Sequence, residues 1–167
     1  MQKIKLTIYH DALKRDVVDK ATKLAKLGKY STGDPNTTGE DFEQDTQFDG
    51  TIPDDLFMNR EFHNALSALL VDAERYMYSD DVEADNHMMG DADFVVTLAA
   101  RDNWNRAMAK PMANLMHAYM VAMCMVEWFR YTRPSESNAQ YALAQEHRKN
   151  FNKAVRSRAR YQKAASA

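Results

Sequence analysis

Residues 112–126 read Met-Ala-Asn-Leu-Met-His-Ala-Tyr-Met-Val-Ala-Met-Cys-Met-Val. This is the most apolar stretch of the chain, and its reading decides the fold. A bilayer span needs roughly 18–20 such residues. The run is shorter than that and carries Asn114 and His117. It reads instead as the centre of a fully buried helix, apolar nearly all round. That helix is expected over about Trp104 to Arg130, capped by Asp102 or Asn103, with Leu115, Tyr119 and Trp128 in the core. The six Met residues from Met108 to Met125 are flexible packing groups rather than a cofactor box.

Working outward, Thr132-Arg133-Pro134 breaks this helix and starts the next one, with Pro134 in an early helical position. The fourth helix is expected from about Ser135 to Tyr161. Tyr141, Ala144, Phe151 and Val155 face inward, and Arg148, Arg156, Arg158 and Arg160 lie mostly outside. On the upstream side, Phe94-Val-Val-Thr-Leu-Ala is β-branched and apolar, which argues for a strand. Residues 79–93 before it form an acidic loop. The helix before that begins near Thr51, where Thr51 and Asp54 have capping-box spacing and Pro53 fits the first turn. Its apolar face is Phe62, Leu66, Leu69, Leu70, Ala73 and Met77, carrying the helix to Tyr78.

At the N-terminus, Lys3, Lys5 and Thr7 alternate with Ile4, Leu6 and Ile8, a period of two that marks a half-buried strand. From His10 the period becomes helical through Leu13, Val17, Ala21 and Leu24, and Gly28 is the expected stop. Residues 29–50 form a long polar loop in which Phe42 and Phe48 are candidate anchors. Residues 162–167 are an expected frayed tail. The two strands pair with each other or with a neighbouring copy. The expected architecture is one domain over 1–167: mainly α, a four-helix bundle with a minor two-strand β element and a long polar insertion.

The 167 residues are 45% hydrophobic and 28% charged, which excludes a wholly disordered chain. A single cysteine, Cys124, excludes an internal disulfide and any Cys-rich zinc site, and fits a reducing compartment. The first residues lack the apolar run of a signal peptide, so a soluble protein made in a cytoplasm is expected. The net charge of −2 hides a strong partition. Residues 1–30 carry +5, residues 31–93 carry −15, residues 94–134 carry +3 and residues 135–167 carry +5. Such segregation gives head-to-tail complementarity in a ring of identical subunits, or simply marks a solvated acidic loop and helix face.

No catalytic signature emerges. Glu61-Phe-His63 and Glu146-His147 lack the Glu-x-x-His spacing of a di-iron bundle. The His residues at 10, 63, 87, 117 and 147 lie on separate segments, and Asp80, Asp81, Glu83 and Asp85 lack the spacing of an EF-hand loop. Phosphate-binding loops, dinucleotide fingerprints and Gly-x-Ser-x-Gly elbows are missing from the sequence. No metal, cofactor or catalytic residue is therefore assigned. Arg148, Lys149, Lys153, Arg156, Arg158 and Arg160 form a candidate subunit- or DNA-contacting basic face.

Two stretches carry a family resemblance. One is Leu115-Met-His-Ala-Tyr-Met-Val-Ala-Met-Cys-Met-Val-Glu-Trp-Phe; the other is Pro134 with Tyr141 seven residues on, followed by the Arg-rich end. With the order of strands and helices around them, the chain resembles small structural proteins of tailed phages, notably of Bacteroides-type hosts. The layout is similar to the head–tail connector, or adaptor, class of neck proteins. The resemblance implies a non-enzymatic virion protein at the head–tail junction, present in the host cytoplasm during assembly. Its partners would be copies of itself in a ring of roughly twelve, the portal protein, other neck or tail proteins, and genomic DNA passing through the channel, with no membrane contact. The acidic stretch would line that channel and repel the DNA backbone. Alternatives are another neck or tail-completion protein, a basic-tailed nucleic-acid-binding packaging accessory protein, or an enzyme with a carboxylate-bound metal.

Overall fold

The computed structural model describes residues 1–31, 52–78 and 90–159. Phe42, Phe48, Arg160, most of the polar loop, residues 79–89 of the acidic loop and the C-terminal tail lie outside the described residues. The fold is mainly helical, with four helices and a two-stranded antiparallel sheet among the described residues. Strand β1 (Gln2–Ile8) leads into helix α1 (His10–Ser31), and α2 (Ile52–Asp72) into strand β2 (Phe94–Ala100). Helices α3 (Ala109–Phe129) and α4 (Pro134–Val155) complete the order.

The register pairs Gln2 with Ala100 at one end of the sheet and Ile8 with Phe94 at the other. Ile4, Leu6 and Ile8 on β1 oppose Leu98, Val96 and Phe94 on β2, and all six are buried. The other face carries exposed Lys3, Lys5 and Val95. Two strands are marginal alone; here their apolar face joins the single core shared with all four helices.

Helix α3 is the centre of that core. Met112, Met116, Tyr119, Met120, Cys124, Met125 and Phe129 are essentially inaccessible to solvent. Leu69 and Tyr119 are fully buried, while Leu66, Leu70, Leu115 and Trp128 are partly buried and pack against the core. Trp128 meets Phe57 edge-on, with ring centres 5.5 Å apart. The most extensive helix pairing is the α3–α4 hairpin. Ser137 fastens its turn by donating its hydroxyl to the Val126 carbonyl at 2.9 Å.

Five expected boundaries are corrected. Helix α1 runs through Gly28 to Ser31: among the described residues only Gly90 adopts a positive φ, and a glycine that stays helical is no stop. Helix α2 ends at Asp72, short of Tyr78. A tight turn at Glu74–Tyr76 turns the chain extended, and Met77, 42% exposed, bridges to Leu98 instead of lying on the helix face. Helix α3 starts at Ala109, after a short turn over Arg106–Met108. Neither Asp102 nor Asn103 caps it: Met108 stands at its N-terminus and makes no side-chain cap, while Asn105 caps the short turn before it by accepting the Ala107 N–H at 3.1 Å. Helix α4 ends at Val155 because the chain then pairs with the loop before α3: Trp104 bridges Arg158, and the Ala159 N–H donates to the Asn103 carbonyl at 2.8 Å. Tyr141 points outward, half exposed. No helix among the described residues is long and apolar enough to cross a membrane.

Candidate basic interface

The basic face begins with helical spacing. Gln145, Arg148, Lys149, Asn152, Lys153 and Arg156 stand at positions i, i+3, i+4, i+7, i+8 and i+11, so they share one side of α4 and its C-terminal cap. Together they line an open cleft of about 390 Å³. Lys149, Lys153 and Arg156 are exposed, whereas Arg148 is half-buried and turned inward. Its Nε donates to Asp72 Oδ2 at 2.5 Å and its Nη2 to Oδ1 at 2.6 Å, a two-pronged charge-assisted contact. Asn152 adds a third hydrogen bond to the same carboxylate at 3.1 Å. The Arg148 hydrogen bond holds the Asp72 carboxyl at about 2, well under its ordinary 3.8, and Asp72 in turn raises the Arg148 guanidinium. Arg148 is thus largely neutralised, and Lys149, Lys153 and Arg156, of which Arg156 also feels the Asp72 charge, supply the remaining positive charge of the cleft among the described residues.

Arg156 also lines a neighbouring recess of about 190 Å³ with Arg101, Trp104 and Arg158. Trp104 is buried and donates its indole N–H to the Ala154 carbonyl at 3.1 Å. It ties the end of α4 to the end of β2. Of the predicted basic residues, the fold brings Arg148, Lys149, Lys153 and Arg156 to one cleft and Arg156 and Arg158 to the next. Sequence reading did not single out Asp72, Gln145, Asn152 or Arg101. Gln145 and Asn152 were discoverable from helical spacing to Arg148. Asp72 and Arg101 come from distant segments and left no local signal.

Other reactive groups are occupied or shielded. Cys124 is fully buried, and burial pushes its thiol well above the ordinary range. His117 Nε2 and Asp16 Oδ2 are 2.7 Å apart on the α1–α3 surface. His147 is lowered by burial, then by nearby Lys20. His10 is buried, with Nε2 2.5 Å from Asn59 Oδ1 and its ring near Phe62 and Phe94. Its Nδ1 has no hydrogen-bond partner among the described residues; the Asp91 and Asp11 carboxylates stand 3.7 and 3.9 Å away. No group of three His, Cys, Asp or Glu among the described residues is placed to hold a metal ion. The arrangement on α4 can attract and orient an anionic surface. Comparison of the chain with protein-family models, with curated proteins and with solved structures finds no match.

Proposed function

We propose that the protein is a non-enzymatic structural component of a tailed-phage virion, a ring-forming adaptor at the head–tail junction that joins the portal to neck or tail proteins around the DNA channel. The observation that supports this most is the basic cleft along α4, a charged surface carried on a small helical domain. The resemblance of the α3 sequence and of the Pro134 break to phage neck proteins supplies the virion context. The reading is tested by quantitative mass spectrometry of purified particles. A copy number in a small fixed ratio to the portal is expected. Absence from particles, or a copy number on the scale of the capsid or tail tube, refutes it.

A second reading, a packaging accessory protein that binds nucleic acid, draws on the same cleft. Lys149, Lys153 and Arg156 would neutralise about three phosphates, giving a log–log salt slope of about −2.7 for duplex DNA. Titration of duplex DNA at several salt concentrations measures that slope directly.

A further inference from the structure

The two ends of the sheet carry opposite charge. At the Ile8–Phe94 end stand Asp11, fully exposed in the first turn of α1, and Asp91 and Asp93, which lead into β2. Asp93 is held in place by the backbone N–H of His10, which donates to its Oδ1 at 2.9 Å. At the Gln2–Ala100 end stand Arg101, Arg156 and Arg158, gathered around one recess. These three guanidinium groups outnumber the Asp102 carboxylate that follows Arg101. The seven paired residues separate the two ends by about 20 Å. That exceeds the Debye length of about 10 Å at 0.1 M salt, so the ends act as two separate patches rather than cancelling.

We infer that the Asp11–Asp91 end of one copy docks on the Arg101–Arg156–Arg158 recess of a second copy, head to tail. This rests on the ring-forming reading and names the surfaces that would form the ring. The occupant follows from charge and shape. The chain as a whole carries −2, so a DNA rod approaching it meets net repulsion beyond the cleft itself. A second copy offers an acidic end matched to the recess. The recess is a compact basin of about 190 Å³ at one end of the sheet, not a track that follows a phosphate backbone. Because the two patches differ, the contact is heterologous, and repeating it generates a closed ring or an open filament rather than a two-fold dimer.

The test is self-association of the full chain, followed by sedimentation equilibrium and mass photometry at about 50 mM and about 500 mM salt. The dissociation constant is expected to rise at least tenfold between the two. Arg101→Glu/Arg156→Glu/Arg158→Glu makes both ends acidic, and Asp11→Lys/Asp91→Lys makes both ends basic. Each variant alone is expected to stay monomeric, and an equimolar mixture of the two to associate again. Restoration by mixing shows that neither variant failed through misfolding. A wild-type chain that stays monomeric at millimolar concentration in low salt overturns the inference. So does association that ignores both variants, or a mixture that does not recover. Loss of binding to a duplex oligonucleotide in the arginine variant, with self-association intact, overturns it in favour of nucleic acid. Particle copy number is an independent readout: a chain present in particles without charge-dependent association refutes this contact and leaves the adaptor reading standing, and the converse result separates them the other way.

Discussion

Replacing Asp72 by Asn should weaken the fold modestly at neutral pH and not at all in strong acid. Asp72 sits at the last position of α2 and receives two hydrogen bonds from Arg148 and one from Asn152 on α4. The carboxyl is lowered from 3.8 to about 2, mainly by the Arg148 hydrogen bond. Unscreened, that difference corresponds to roughly 2.5 kcal/mol. Asp72 keeps 24% of its side-chain surface exposed and Arg148 keeps 34%, so solvent screening reduces the expected contribution to about 1 kcal/mol. In a chain of this length about 1 kcal/mol lowers Tm by roughly 2–4 °C. The folded-state value lies below the unfolded one, so the stabilisation is present above about pH 4 and is lost as pH falls toward 2. Roughly half should be gone by about pH 3. Urea denaturation of the wild type, Asp72→Asn, Arg148→Met and the double variant at neutral and acid pH measures the coupling. A coupling near zero at neutral pH, or a penalty that does not shrink on acidification, would refute this account of how α2 is fastened to α4.

Phe62→Ala should cost about 3–5 kcal/mol in urea denaturation, because Phe62 is fully buried beside His10 and its loss leaves a cavity under the sheet. Trp104→Phe removes the indole donor to the Ala154 carbonyl, at a cost of about 1–2 kcal/mol; hydrogen exchange at the Asn105 and Ala159 amides should quicken as the bridge between 103–105 and 157–159 loosens. Cys124 should resist a soluble disulfide reagent in the folded chain and react fully in denaturant, since its thiol is buried and its deprotonation disfavoured.

The periodic parts of the fold were legible in the sequence, and the boundaries were not. Alternation over Lys3–Ile8 and the spacing of Leu13, Val17 and Ala21 report burial directly, because each side chain faces the core or the solvent by its place in the repeat. Met77 and Arg158 show where that logic stops. Both continue a helical pattern, and both leave it to pair with a strand or turn far away in sequence, Met77 with Leu98 and Arg158 with Trp104. A backbone partner more than twenty residues distant is invisible to a local window, yet it decides where the helix ends.

The same distinction explains the site. Lys149, Lys153 and Arg156 could be read together because one helix presents them on one side. Arg148 could not be separated from them in the sequence, although Asp72 neutralises it and leaves the cleft with a different charge than the helix alone suggests. Arg101 adds to the recess only because β2 ends where α4 ends. The segment charges pointed to complementarity, but charge counted along a chain has no direction in space. Direction comes from the antiparallel register, which sends Asp91 and Asp93 to one end of β2 and Arg101 to the other. With the α4 terminus anchored by Trp104 at the second end, Arg156 and Arg158 join Arg101 instead of opposing it. A chain close to neutral overall thereby becomes a body with two unlike ends, which is the minimum that head-to-tail assembly requires.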